Sequence, residues 1–520
     1  MGVYRMFQKN DEFELKIEDL SVNGEGIGHA NGVTFFIKDA LIGDVIRAKV
    51  TKLKKSYGYA RLVEILTPSP DRVAPVCPHA RPCGGCQMQE LSYGKQLAFK
   101  EEKVRNDLRR IGGFTDAQIP MRPILGMENP WHYRNKAQFP VGTGRDGRIV
   151  TGFYAGRTHS IIANRDCAIG HPCNRRILDL VIGFMEEYGI PPYDERTGTG
   201  LVRHILIRIG FATGEIMVCL VINGDRLPRE DVLAERLFAL TDADFLKLPT
   251  DSRTTGPNAI TAAKQPGCEA AACDPYPLPR MTSFLLNTNT AHTNVILGDK
   301  VRTVRGQSYI TDRIGDLKYQ ISAKAFYQVN PVQTEKLYQT ALTLAALTGA
   351  ETVWDLYCGI GTISLFLAKK AKKVYGVEIV PEAIEDAKQN AKINGITNAE
   401  FFAGKAEEIL PAYVRQEKQA GRAASADVVV VDPPRKGCDA ALLDTILSMH
   451  PDRIVYVSCD PATLARDLKI LCAGGYTLQH IQPVDQFPHS GHVETVCLLG
   501  KRSNLRKPDA AINSLNPPER

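Results

Sequence analysis

No stretch of this chain approaches the ~18 consecutive apolar residues that a membrane span requires. The amino terminus, MGVYRMFQKNDEFELK, has neither an apolar core nor a small-residue cleavage site. A soluble, cytoplasmic protein is therefore expected. A disulfide framework is argued against as well, because thirteen cysteines, an odd number, are spread over 520 residues. That leaves metal ligation, catalysis or simple burial as their roles. Charge of one sign is not strongly dominant: the net +6 permits a polyanionic partner without requiring one. The length is too great for one compact domain and predicts roughly two to four.

From Gln8 to Leu66 short alternating runs are separated by glycine turns, the pattern of a small OB-like β-barrel. Acidic residues are missing between Val45 and Val63, where Arg47, Lys49, Lys52, Lys54, Lys55 and Arg61 surround Tyr57 and Tyr59. Cations that track phosphates beside aromatic faces for stacking suit single-stranded nucleic acid. This part resembles a TRAM domain, an RNA-binding barrel appended to RNA-modifying enzymes.

Pro68, Pro70 and Pro75 mark a linker into CPHARPCGGC, which places Cys77, Cys83 and Cys86 in a loop that can form neither a helix nor a central strand. Three thiols so close suit a metal centre, with Cys167 as the best fourth ligand and Cys173 as second choice; zinc and an iron–sulfur cluster both fit four thiolates. Met88 to Ile111 has the periodicity of an amphipathic helix. Trp131 to Val141 predicts a strand that begins with Arg134 and Lys136 beside Trp131, His132 and Tyr133. Further strands over GRIVTGFYA, LVRHILIRIG and EIMVCLVING frame a helix near Asn174 to Tyr188, so residues 68–315 are expected to form a central α+β domain. Large apolar residues are scarce from about 250 to 280, which predicts a mobile insertion, and the tail 504–520 is expected to be disordered.

From Glu351 apolar strands alternate with helices, predicting a doubly wound parallel sheet over 316–503. Its first turn carries Asp355, Tyr357, Cys358, Gly359 and Gly361, without the third glycine of GxGxxG. Glu378 ends the second strand, where a carboxylate can accept ribose hydroxyls. Asp432 ends the fourth and is followed by a stiff Pro433-Pro434 turn. The third strand is followed by Gly404, Lys405 and Ala406 rather than an acid. Arg453 to Pro461, RIVYVSCDP, delivers Cys459 at a strand's carboxyl end, where ligands bind in open α/β sheets.

KAFYQVN from Lys324, DLYCGIG from Asp355, VVDPPRKG from Val431, VSCDP from Val457 and HVETV from His492 together resemble the RNA uracil-5-methyltransferase family. The resemblance runs from Gln8 to Lys501. It implies a class I, Rossmann-like methyltransferase domain behind the barrel and the α+β domain. It makes Gln328, Tyr357, Glu378 and Asp432 contacts for S-adenosylmethionine, Cys459 the nucleophile and Glu494 the general base. It also favours a [4Fe–4S] cluster on Cys77, Cys83, Cys86 and Cys167. Because the cluster and the TRAM domain point to the large-subunit branch, 23S rRNA is the expected partner of a monomeric enzyme, with tRNA as runner-up. A non-catalytic RNA-binding ribosome-assembly factor is the alternative of a different class.

The chemistry accounts for the two residue types. Uracil C5 is a weak nucleophile, so a thiolate adds to C6 and pushes electron density to C5. After methyl transfer C5 still holds a proton, which a carboxylate must remove before the thiolate leaves. The target base must be unpaired or flipped.

Overall fold

The computed structural model describes residues 7–156, 158–246, 277–421 and 426–502. The expected insertion falls almost wholly, and the expected disordered tail wholly, outside the described residues. The chain divides into two units, one of residues 1–131, 155–158 and 325–520, the other of 132–154 and 159–324. The stretch from Pro68 to Trp131, grouped above with the central region, thus belongs to the first unit.

That unit opens with β1 (Glu12–Lys16), β2 (Asp19–Leu20), β3 (Gly26–Ala30), β4 (Val33–Lys38), β5 (Val45–Leu53) and β6 (Tyr57–Thr67). They form a six-stranded sheet in the order β1-β5-β6-β4-β3-β2. Alternation buries Phe35, Ile37, Ile46, Ala48 and Val50 on one face. At Gly58 a Cβ would lie 2.5 Å from the Phe35 ring, so only glycine fits that crossing. Next comes α1 (Tyr93–Asp107), continued by a wider turn over Leu108–Gly112. It is shorter than the periodicity suggested, because Met88 and Leu91 pack in the small core below the barrel instead.

The second unit contains β7 (Lys136–Thr143), β8 (Ile149–Tyr154), β9 (Ile161–Ala163), α2 (Cys173–Glu187), β10 (Val202–Ile209), β11 (Glu215–Ile222), α3 (Glu230–Phe238), α4 (Asp242–Leu246), β12 (Arg280–Thr288) and β13 (Lys300–Gly306). Its seven strands run β13-β12-β11-β10-β7-β8-β9. Every residue of β10 is buried, as expected of a central strand covered on both faces. A hairpin, β14 (Tyr309–Ile314) and β15 (Leu317–Ser322), follows.

The chain then returns to the first unit with α5 (Pro331–Ala345), β16 (Thr352–Leu356), α6 (Thr362–Ala368), β17 (Lys373–Glu378), α7 (Pro381–Ile393), β18 (Ala399–Ala403), α8 (Ala406–Gln419), β19 (Val428–Val431), α9 (Ala440–Met449), β20 (Arg453–Ser458), α10 (Pro461–Ala473), β21 (Tyr476–Val484) and β22 (Glu494–Lys501). The sheet order is β18-β17-β16-β19-β20-β22-β21. β16 to β20 are parallel, but β22 runs antiparallel to both β20 and β21. The sheet is therefore mixed rather than wholly parallel, because β21 passes to β22 through a loop with no helical crossover. Trp354, Leu356, Val429 and Tyr456 are fully or almost fully buried in its core, each contributing roughly 1.5–3 kcal/mol through burial. Strand order reverses at β16, so a crevice opens beyond its carboxyl end and that of β19.

Candidate active site

β20 ends at Ser458, which pairs with Thr495 on β22. Cys459 directly follows Ser458 and Glu494 directly precedes Thr495, so the last pair of this register brings both to one end of the sheet, near enough for the Glu494 charge to act on the Cys459 thiol. Asp460 then caps α10, accepting from the backbone N–H of Ala462 and Thr463, with Pro461 in the first turn. This abrupt switch from strand to capped helix leaves Cys459 half-buried at the sheet's edge, unbridged.

Asp432 arrives at the same edge from β19, its N–H donating to the Leu356 carbonyl at 3.3 Å. Glu494 is only 3% exposed. Burial, reinforced by the charge of Asp432 and opposed by Arg435, pushes its carboxyl up to about 8. Burial likewise pushes Asp432 up to about 7. The Cys459 thiol is pushed up to about 12, first by burial and then by Glu494 and Asp432, with Arg435 again opposing. The cleft therefore holds two protonatable carboxyls around a thiol that keeps its proton at rest. Arg435, exposed, is the cation whose charge reaches both groups.

On the β16 side, Tyr357 adopts a left-handed backbone with φ of 69°, a strained conformation for a tyrosine that costs about 1–2 kcal/mol. It turns the chain into Gly359 and Gly361, with φ of 55° and 81°, and Gly361 caps α6. Glu378 braces this loop, accepting from the N–H of Gly359 at 3.1 Å and of Val380 at 3.0 Å. Asp355 is fully buried and accepts from the Ser364 hydroxyl at 2.5 Å. Burial pushes it up to about 7, against that hydrogen bond and with the charges of Asp432 and Glu378. Its other oxygen, Oδ1, is buried and has no hydrogen-bond partner among the described residues. An orphaned carboxylate oxygen beside other acids, in front of a glycine cradle, suits a cationic ligand with ribose hydroxyls. Gln328 is buried just ahead of α5.

Three sequence-derived residues, Cys459, Glu494 and Asp432, thus act on one another at one end of the sheet, whereas the charges that act on Tyr357 are those of Cys438, Glu407, Asp439 and Asp467. Asp355, Ser364 and Arg435 were quoted or passed over without a role. Only Asp355 had a usable signal, an acid inside an otherwise apolar strand.

The four cysteines are a different matter. Cys77 is buried, Cys83 and Cys86 are half-buried, and Cys167 belongs to the second unit. Among the described residues no group of three or more His, Cys, Asp or Glu side chains is arranged to hold a metal ion. Cys83 Sγ accepts from the Gly85 N–H at 3.4 Å. With Cys86, Lys38 and Arg81 it lines a groove of about 440 Å³. A second groove, of about 530 Å³, is continuous with the first through Glu25, Lys38 and Asp39 and reaches Phe36, Lys52 and Tyr59 on the barrel. Phe36, Tyr57 and Tyr59 form a cluster with ring centroids 5.7 to 5.8 Å apart. Arg47 and Lys49 are tied to Glu64, Glu14 and Glu12, whereas Lys52, Lys54 and Lys55 make no ion pair among the described residues.

Comparison with known proteins matches the same regions. A TRAM domain model covers residues 7–63, and the model described as tRNA (Uracil-5-)-methyltransferase covers 287–502. An uncharacterized RNA methyltransferase of Halalkalibacterium halodurans is 48% identical over 491 residues, 94% of this chain and 97% of its own length. The chain belongs to the RNA uracil-5-methyltransferase family. A Clostridium acetobutylicum RNA methyltransferase, also named as uncharacterized, is 45% identical over 95% of this methyltransferase and 97% of its own chain. The crystal structure of Pyrococcus abyssi tRNA (uracil-54, C5)-methyltransferase in complex with S-adenosyl-L-homocysteine superposes with a TM-score of 0.67 at 26% identity, covering 94% of this chain and 100% of that one. This methyltransferase is accordingly dependent on S-adenosylmethionine, and its substrate is RNA. No helix among the described residues is long and apolar enough to cross a membrane.

Proposed function

We propose that this enzyme methylates C5 of a uridine in 23S rRNA through a covalent Cys459–C6 adduct, with Glu494 as the base that removes the C5 proton. The observation that carries this reading is that the Ser458–Thr495 pair brings Cys459 and Glu494 to one end of the sheet, where Asp432 acts on both. A thiol and a carboxyl brought together there suit the two ends of one C5–C6 bond, one forming the adduct and the other receiving the proton that must leave.

Cys459 begins as a thiol because burial first, and then Glu494 and Asp432, oppose its ionisation. S-adenosylmethionine, when bound, supplies a methyl group on a cationic sulfonium. Asp355 and Asp432 would hold that cation, Glu378 and the Gly359–Gly361 turn would hold its ribose side, and Gln328 and Tyr357 would complete the site. A positive charge among these carboxyls would relieve part of the repulsion that helps keep Cys459 protonated, and the thiol proton would pass to solvent before the thiolate adds to C6. Glu494, buried and raised to about 8, is a strong enough base once ionised to take the C5 proton near neutral pH. Its proton then passes to solvent, and Cys459 leaves C6 to restore the aromatic base.

The barrel face with Tyr57, Tyr59, Lys52, Lys54 and Lys55, together with the groove running to Cys83 and Cys86, is the RNA path in this reading. The enzyme acts as a monomer in the cytoplasm. The [4Fe–4S] cluster on Cys77, Cys83, Cys86 and Cys167 rests on cysteine spacing and family resemblance alone, and no step depends on it.

A second reading takes transfer RNA as substrate. It is favoured by the description of the matching family model and by the tRNA-modifying enzyme with which the fold superposes. Mapping 5-methyluridine in rRNA and tRNA from a deletion strain decides between them. Restoration of an rRNA mark by the wild-type gene, and not by Cys459→Ala, is expected. Restoration of a tRNA mark supports the second reading, and an unchanged set of marks sinks both.

A further inference from the structure

Glu494 enters β22 from a loop, residues 485–493, that has no regular secondary structure yet is buried or half-buried throughout. A buried loop must satisfy its backbone polar groups inside the protein, and here two helices do so. From α5 and its cap, Asn330 Nδ2 donates to the Gln486 carbonyl at 3.1 Å and Gln333 Nε2 to the Asp485 carbonyl at 3.1 Å. From α1, Gln96 accepts from the His489 N–H at 3.0 Å. Lys100 donates to the Phe487 carbonyl at 2.9 Å and forms an ion pair with Asp485. The Tyr93 hydroxyl donates to the other Asp485 oxygen at 2.7 Å.

Lys100 and Asp485 have no solvent exposure at all. Two charges held out of water cost free energy that a pair of apolar residues would not, so such a pair is a poor device for stability alone. Its location suggests what it does instead. Asp485 directly follows Val484, and Val484 is the cross-strand partner of Glu494. The ion pair is thus anchored one residue from the neighbour that sets where the Glu494 carboxylate stands. The loop's far side is fixed as well: the N–H groups of Gln87 and Met88 donate to the His489 carbonyl at 2.9 and 3.0 Å. A Cβ at Gly491 would lie 2.5 Å from the Val22 carbonyl.

We infer that Lys100, Asp485 and Tyr93 form a buried clamp from α1 that positions Glu494 for proton abstraction. The three are positioning residues, since none of them needs to touch the RNA. The inference rests on the covalent reading above and adds to it a definite kinetic consequence. Loosening the clamp slows removal of the C5 proton more than it slows adduct formation or methyl transfer, because those two steps belong to Cys459 and the donor cleft.

The test uses the full-length enzyme, total RNA from a deletion strain and S-adenosylmethionine labelled in its methyl group. Methyl label that stays on the protein through denaturation and nuclease digestion measures the methylated adduct. Glu494→Gln is the reference and should trap label. The paired variant Lys100→Met with Asp485→Asn keeps shape while removing both charges. It should trap label too, with kcat lowered about tenfold and KM for the donor unchanged. Tyr93→Phe should move the same way by a smaller factor, and it decides the matter if the paired variant does not fold. Folded variants that turn over normally without trapped label overturn the clamp. So does a loss of methyl transfer and release in equal proportion, which is what simple destabilisation produces. If Glu494→Gln traps no label, the covalent reading fails, and the clamp with it.

Discussion

Cys459 directly follows Ser458 and Glu494 directly precedes Thr495, so the Ser458–Thr495 pair brings them to one end of the sheet although 35 positions separate them in the chain. The acid proposed to take a proton from C5 is also the acid that, after burial, does most to hold the thiol in its protonated form. In the proposed mechanism, attack at C6 and proton removal at C5 are therefore coupled electrostatically before any substrate binds.

One consequence concerns thiol reactivity. Asp432→Asn removes a negative charge that raises the Cys459 thiol, so the thiolate fraction at pH 8 increases and alkylation of Cys459 by iodoacetamide speeds up. Arg435→Ala removes the opposing cation and slows it. Mass spectrometry of the Cys459 peptide over time measures both. Equal rates in the two variants would mean that these charges do not govern the thiol.

The Glu494 carboxyl, raised from 4.5 to about 8, gives a stability prediction of definite sign. Between those values the folded protein binds more protons at this position than the unfolded chain, so this position's contribution to stability falls as pH rises from about 4.5 to 8. Asp355 and Asp432, both raised from 3.8 to about 7, act in the same direction. Without the methyl donor, Glu494→Gln should melt several degrees above wild type at pH 8, with a much smaller difference at pH 5. Scanning calorimetry at the two pH values checks it, and a difference independent of pH would contradict it.

On the barrel, Lys52, Lys54 and Lys55 lack acidic partners among the described residues, unlike Arg47 and Lys49. Replacing any one by Ala should raise KM for RNA while leaving kcat in place, and should reduce the slope of log affinity against log salt by about one. Tyr59→Ala should weaken binding by about 1–3 kcal/mol with little change in that slope, as loss of a stacking face does. Filter binding over a salt series separates the two effects.

For the cysteine loop, an anaerobic preparation should be brown and contain about four irons per chain, lost in Cys83→Ala. Iron analysis and the visible spectrum decide; a colourless protein with stoichiometric zinc would replace the cluster by a zinc site.

What could be read from the residues in order was what near neighbours encode. β-branched runs ending in Asp355, Glu378, Asp432 and Cys459 marked strands and their carboxyl ends, since alternation and strand-end chemistry are local properties. The glycine turns of the barrel and the proline pair after Asp432 were equally plain. Local pattern misled where pairing is decided at a distance. Nothing in HVETV distinguishes a strand that runs antiparallel from one that runs parallel, and the helix expected from Met88 loses its first residues to the core beneath the barrel.

The sequence by itself determined which side chains could do the chemistry: a thiol, a buried acid and a glycine cradle, each at the end of its own strand. Tertiary structure alone decided that Cys459 and Glu494 come to one end of the sheet, that Arg435 tempers both, and that a lysine in α1 grips Asp485 385 residues away. Hydrophobic period and turn chemistry are written within a few residues of where they act. Cross-strand register and buried ion pairs exist only after the chain has closed on itself, because the burial that gives them their strength is a property of the fold as a whole.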